Sequence, residues 1–131
     1  MTRTTINDLV AAAREHIDNL SLEEAQAEIA DDGTLLVDIR DPRERWRDGT
    51  IPGAKHVTRG MLEFWADPES EYYKSYFEFD RRIVVYCAGG LRSALAADTL
   101  KTLGFTDVCH IEGGFGAWKA SGLPVEDVEQ R

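Results

Sequence analysis

The sequence predicts an α/β domain built on a mainly parallel sheet. Three observations carry that expectation. Segments with helical spacing alternate with short β-branched segments along the chain. Two of the latter, Leu35-Leu36-Val37-Asp38-Ile39 and Ile83-Val84-Val85-Tyr86, are near-continuous in apolar residues, as strands covered on both faces must be. Capping and stop residues stand at the joins between the two kinds of segment.

Taken in order, Ile6, Leu9, Val10 and Ala13 recur every three to four residues and predict a first amphipathic helix. His16 to Leu20 reads as a short strand. Ser21-Leu22-Glu23-Glu24 is a capping box that opens a helix to about Ala30, ended by Asp31-Asp32-Gly33. The strand Leu35–Ile39 follows. Asp41-Pro42 starts a short helical turn, because proline suits a first helical position. Ile51-Pro52-Gly53-Ala54 is a turn, and Lys55-His56-Val57 a short strand. Gly60 to Asp67 reads as a helix bearing Met61, Leu62, Phe64 and Trp65, with Met61, Phe64 and Trp65 at core spacing. Residues 67–80 are polar and aromatic without period, and are expected to be loop with some helix. Arg82 to Cys87 is the clearest strand, β-branched and aromatic. Ser93 to Leu103 is a helix with Gly104 at its stop, Val108 to Ile111 a strand, and Phe115 to Ser121 a closing helix ended by Gly122 and Pro124. Trp46 and Trp118 read as core.

The 131 residues fit one domain over 1–131, and 43% hydrophobic content is enough for a core without staples. Residues 1–20 read as an N-terminal extension of helix and short strand, and 126–131 as a flexible tail. No apolar run approaches the ~20 residues of a membrane helix, and Met1-Thr2-Arg3-Thr4-Thr5 is no signal core. A formal charge of −9 and a pI near 4.7 argue against nucleic acid and anionic membranes as partners. Cys87 and Cys109 form no CxxC pair, and no His/Cys cluster has metal-ligand spacing, so no metal is expected. Two thiols without a signal peptide fit a reducing compartment, and the cytoplasm is the expected location.

Cys87 stands where a buried strand ends. Ala88-Gly89-Gly90-Leu91-Arg92 follow before the expected helix at Ser93. In open α/β sheets, ligands bind at the carboxyl ends of strands. A helix start offers unpaired N–H groups and a positive dipole end, and Gly89-Gly90 can turn successive N–H groups inward as an anion nest. A thiol in that nest ionises more readily than a free cysteine. Cys87 is thus a candidate nucleophile, whereas Cys109, inside a strand, reads as core. His16, His56 and His110 do not flank Cys87 in sequence, and none is assigned as a general base.

Four stretches, in order, resemble the rhodanese family from about Ser21 to Val125. They are Leu36-Val37-Asp38-Ile39-Arg40; Arg43-Glu44-Arg45-Trp46 with Gly49-Thr50-Ile51-Pro52-Gly53-Ala54; Cys87 to Ser93; and Gly113-Gly114-Phe115-Gly116-Ala117-Trp118 with Gly122-Leu123-Pro124-Val125. The resemblance implies about five parallel strands with helices on both faces. It implies a sulfurtransferase in which Cys87 carries sulfur as a persulfide, cradled by Ala88, Gly89, Gly90, Leu91, Arg92 and Ser93. A small-molecule donor such as thiosulfate and a thiophilic acceptor (cyanide, a thiol or a protein cysteine) would be the partners, with no cofactor. Asp38, Arg40 and Glu44 would support the loop, either as structural charges or through an Asp38–Arg92 pair. Arg92 would brace the loop or clamp substrate, and Arg59 to Trp65 would come near it. Thr50 stands where the family usually has His, in a turn expected to lie away from the cradle.

Two other classes compete with this reading. A non-catalytic rhodanese-like module that binds a partner protein need not keep the thiol, so Cys87 argues against it. Cysteine phosphatases and arsenate reductases also hold a thiolate in a loop of N–H groups with an Arg. Phosphatases place five residues between Cys and Arg, and here four separate Cys87 from Arg92.

Overall fold

The computed structural model describes residues 2–130. The expectations for Met1 and Arg131 lie outside the described residues. Five strands form one all-parallel sheet: β1 Asp18–Leu20, β2 Leu35–Asp38, β3 Lys55–His56, β4 Ile83–Tyr86 and β5 Val108–Ile111, in the order β1-β5-β4-β2-β3. The helices are α1 Ile6–His16, α2 Leu22–Ile29, α3 Pro42–Asp48, α4 Leu62–Ala66 (entered through a 3₁₀ turn, Arg59–Met61), α5 Leu91–Thr102 and α6 Gly114–Ala120. The mainly parallel α/β class read from alternation and apolar strands is the one observed.

Alternation along the strands sorts two cores. Leu35, Val37, Ile83, Val85, Cys87 and Val108 face α1, α4 and α5. Leu36, Val84, Tyr86, Cys109 and Ile111 face α2 and α6. The chain leaves β2 toward β3 and leaves β4 toward β5, in opposite directions across the sheet. The carboxyl ends of β2 and β4 therefore flank the switch point, where parallel sheets open a crevice. Cys87 follows β4 at that point.

Local signals set the boundaries. Ser21 and Glu24 form the expected capping box. Asp41 and Glu44 form a second one at α3, with Pro42 inside the first turn. Thr5 and Asp8 form a third at α1. His16 belongs to the last turn of α1, not to β1, and its ring meets Asp98 of α5 at 2.8 Å. Residues 67–80 contain no helix. Turns such as Ser70 N–H to the Asp67 carbonyl and Phe77 N–H to the Lys74 carbonyl fill the segment instead. Trp118 is core, but Trp46 is only half-buried, because α3 has no buried face. Phe64 is 52% exposed and meets Tyr72 edge-on at the surface, so the helical spacing of Met61, Phe64 and Trp65 overstated the core there. Glu126 pairs with Thr50 in an antiparallel bridge, one residue into the expected tail. Among the described residues, no helix is long and apolar enough to cross a membrane.

Candidate active site

The helix after β4 starts earlier than expected. Leu91 and Arg92 already belong to α5, with Gly90 at its N-cap, so only Ala88-Gly89-Gly90 separate Cys87 from the helix. Gly90 has φ +99°, in the left-handed region that glycine tolerates without a Cβ penalty. No side chain of the N-cap residue caps this helix. The Cys87 sulfur does so instead. Its Sγ accepts the Gly90 N–H at 3.1 Å and the Ser93 N–H at 3.4 Å, taking two donors a helix start leaves unpaired. The sulfur thus sits at the positive end of a 12-residue helix. Cys87 is 1% exposed, while Gly89 at the mouth of the loop is open to solvent.

Two glycines of α6 fix the loop from behind. The Phe115 N–H donates to the Cys87 carbonyl at 2.8 Å, and the Gly116 N–H to the Ala88 carbonyl at 2.9 Å. Gly114, at φ +58°, lies so close that a Cβ there would stand 2.6 Å from the Cys87 carbonyl oxygen. A cleft of about 380 Å³ adjoins the loop, lined by Arg40, Asp48, Ala88, Phe115, Gly116 and Lys119. A larger depression of about 530 Å³ lies at the β1 edge around Asp18, Glu24, Glu28 and Arg82, away from Cys87.

The supporting charges arrange themselves differently from the expected Asp38–Arg92 pair. Asp38, fully buried, holds Arg40: Arg40 Nε reaches Oδ1 at 3.0 Å and Nη2 reaches Oδ2 at 2.8 Å. Asp38 also accepts from the Arg40 N–H, from Thr50 Oγ1 at 3.3 Å and from Tyr86 Oη at 3.0 Å, with Arg45 Nε 3.3 Å away. The carboxylate has no room left for Arg92. Arg92 turns outward and grips Glu44 with two bonds of 2.9 Å, tying α3 to the first turn of α5. That pairing, despite partial burial, holds the Glu44 carboxyl below its ordinary range. Thr50 is buried in this network, beside Tyr86 and Asp38 and on the opposite core from Cys87. Burial, reinforced by Asp38, pushes the Tyr86 phenol upward. Arg59 bonds Glu63 and Thr99, farther along α5.

His110 went unassigned in the sequence, and the fold brings it to the site. Its Nδ1 lies 2.9 Å from Ser93 Oγ, which is 3.5 Å from Cys87 Sγ. The register explains this. Val85 of β4 stands beside His110 of β5, and Cys87 is the next residue on that face. Cys109 points to the other core, and burial pushes its thiol up to about 12, so it stays protonated and inert at neutral pH. No group of His, Cys, Asp and Glu among the described residues could hold a metal ion.

The family model described as the Rhodanese-like domain matches residues 21–121. Thiosulfate sulfurtransferase GlpE from Vibrio cholerae is 33% identical over 113 residues, 86% of this chain and 97% of that protein. Among solved structures, the polysulfide-sulfur transferase homodimer of Wolinella succinogenes is 31% identical with a TM-score of 0.73, covering 93% of this chain and 87% of that one. A Rhodopseudomonas palustris protein of unknown function, described as a possible tyrosine phosphatase, is 51% identical with a TM-score of 0.90, over 96% of both chains.

Proposed function

The chain belongs to the rhodanese-like domain family, and from that premise we propose that it is a sulfurtransferase that carries sulfur on Cys87. The observation that carries the reading is the Cys87 sulfur itself, capping α5 through the Gly90 and Ser93 N–H groups. Those donors stabilise a negative sulfur without a metal or organic cofactor. The Cys87 thiolate attacks the outer sulfur of a donor such as thiosulfate. A new S–S bond forms, the donor's own S–S bond breaks, and sulfite leaves with that bond's electron pair. An acceptor thiolate or cyanide then attacks the outer sulfur of the persulfide and returns Cys87 to a thiolate. Dividing one transfer into two in this way is covalent catalysis. Within the run from Ala88 to Ser93, Gly90 and Ser93 touch the sulfur while Leu91 is largely exposed; Arg92 braces the first turn of α5 through Glu44, and Asp38 with Arg40 anchors the end of β2.

The phosphatase description of one relative favours a second reading, and the loop count opposes it. Four residues separate Cys87 from Arg92, one fewer than the phosphatase pattern. The guanidinium is also committed to Glu44 instead of pointing over the sulfur.

Intact mass after incubation with thiosulfate tests the proposal. A gain of one sulfur atom, removed by cyanide, is expected, and no gain in Cys87→Ser. Cys109→Ser should load sulfur like the unsubstituted protein. Hydrolysis of an aryl phosphate without sulfur loading would turn the reading to the phosphatase.

A further inference from the structure

We infer that His110 is the proton acceptor for the Cys87 thiol, acting through the hydroxyl of Ser93; this rests on Cys87 being the nucleophile. The geometry fixes the direction of the chain of bonds. His110 Nε2 lies 2.9 Å from Asn19 Oδ1 and 2.9 Å from Glu112 Oε1. A carboxylate only accepts, so Nε2 carries the ring proton. Nδ1 is then the bare nitrogen, and it accepts the Ser93 hydroxyl at 2.9 Å. With its own proton pointed at Nδ1, Ser93 Oγ turns a lone pair toward Cys87 Sγ, which donates to it at 3.5 Å. Thiol, hydroxyl and imidazole form one line of donors and acceptors.

All three groups are buried: Cys87 at 1%, Ser93 and His110 at 0%. Loss of the thiol proton straight to solvent would leave a lone charge inside the domain, at a high desolvation cost. Transfer along the line avoids that. The S–H bond breaks as a new Ser93 O–H bond forms, while the old Ser93 O–H bond breaks as an N–H bond forms at Nδ1. The product is a thiolate and an imidazolium, with no net charge created. The groups facing His110 fit this role. Glu112, at the end of its own strand, holds the imidazolium. Arg14 of α1 fixes Glu112 with a 2.9 Å bond from Nε. Asn19 from β1 and Ser93 from α5 are uncharged, and Cys87 follows β4. Burial keeps the imidazole below its ordinary range, so at neutral pH it is free to accept. His110 is a positioning residue, because it reaches the reacting sulfur only through Ser93.

The test is the rate of iodoacetamide alkylation at Cys87, followed by peptide mass mapping from pH 5 to 9 with the full chain. His110→Asn puts an amide oxygen near the place of Nδ1. It can still accept the Ser93 hydroxyl but cannot take the proton. We expect His110→Asn to alkylate about 10-fold more slowly at pH 7, with the acid limb of its profile moved to higher pH. Ser93→Ala should slow by a similar factor, and the double variant no further than either single one. An unchanged rate in His110→Asn or in Ser93→Ala overturns the inference, as do additive losses. Should the variants fail to fold, ¹⁵N NMR of the unsubstituted protein asks the same question. In the resting enzyme at neutral pH the ring proton should sit on Nε2 with Nδ1 bare; a neutral ring protonated at Nδ1 overturns it. The alkylation rate does not depend on sulfur transfer, so a failure of the sulfurtransferase reading shows separately, as absent sulfur loading.

Discussion

Gly114→Ala should displace the active loop, and the cost follows from the contacts. A Cβ on Gly114 would meet the Cys87 carbonyl oxygen at 2.6 Å and the Ala88 carbonyl carbon and oxygen at 2.7 Å. All three are backbone atoms, so no side chain can swing aside. The residue also has φ +58°, where an L-residue pays about 1–2 kcal/mol. Relieving the overlap requires α6 and the loop to part, at the expense of the Phe115–Cys87 and Gly116–Ala88 bonds. Each contributes about 0.5–1.5 kcal/mol net. Together these effects destabilise by about 2–5 kcal/mol, which lowers Tm on the order of 10 °C for a domain of this size. Sulfur loading should fall further than stability, because a displacement of about 1 Å at a reacting group costs ~100-fold. Gly53→Ala is the control. Gly53 has φ +87° but nothing within 4 Å of a built Cβ, so it carries the backbone cost alone. Thermal denaturation and the rate of persulfide formation, measured on both variants, separate the two effects. If Gly114→Ala matched Gly53→Ala in both, the loop would not be braced by close packing on α6.

Inserting one glycine between Gly89 and Gly90 should move the Gly90 and Ser93 N–H donors off Sγ and slow persulfide formation ~100-fold; an unchanged rate by intact mass would mean the short loop does not select sulfur. Asp38→Asn leaves the buried Arg40 without its carboxylate and should cost about 3–5 kcal/mol in urea denaturation; a loss under 1 kcal/mol would show that Thr50 and Tyr86 do not depend on that charge. His110 gives the stability its pH dependence near neutrality. Its folded-state value is lowered, by burial first, so below about pH 6.5 the unfolded chain takes up a proton that the native chain refuses. The contribution is present above that pH and is lost as pH falls toward the folded value. In a Cys87→Ser background, His110→Asn should flatten the stability curve between pH 7 and 5.5, and an unaltered slope would remove His110 as its cause.

The elements were legible where the signal is local. The Ser21 capping box, the apolar runs of β2 and β4 and Gly104 after α5 are read from neighbours in the chain, and each fell within a residue or two of expectation. Cys87 stands out in the same way, as a thiol between a buried strand and a helix start. Two features were not legible. The partner of Arg92 depends on how many bonds Asp38 has already accepted, and those come from Arg40, Thr50 and Tyr86, spread from position 40 to position 86, with Arg45 Nε 3.3 Å from the same carboxylate. His110 depends on the β4–β5 register, which places residue 110 beside residue 85. Alternation shows that His110 and Val108 share a face, but not which face of which neighbour they meet. One available signal was the polar residue itself: a histidine inside a four-residue strand that is buried throughout needs partners for both nitrogens.

A chain with a charge of −9 should repel an anionic donor, yet the proposed reading has Cys87 hold a negative sulfur. The two facts are compatible because different sources supply the field. Net charge acts at long range and is screened beyond about 8–10 Å at physiological salt. Within the cradle the partners of Sγ are two backbone N–H groups and a hydroxyl, at 3.1, 3.4 and 3.5 Å, where ions of the bulk do not intervene. The loop's cation adds little, since Glu44 compensates Arg92 at 2.9 Å. On that reading recognition of the sulfur rests on fixed dipoles, and fixed dipoles act only if the backbone that carries them is held. The Gly114 contact holds the loop from Cys87 to Gly90 directly, the Arg92–Glu44 bridge holds the first turn of α5, and Arg40, fixed by Asp38, lies over the ring of Phe115, whose N–H holds the Cys87 carbonyl.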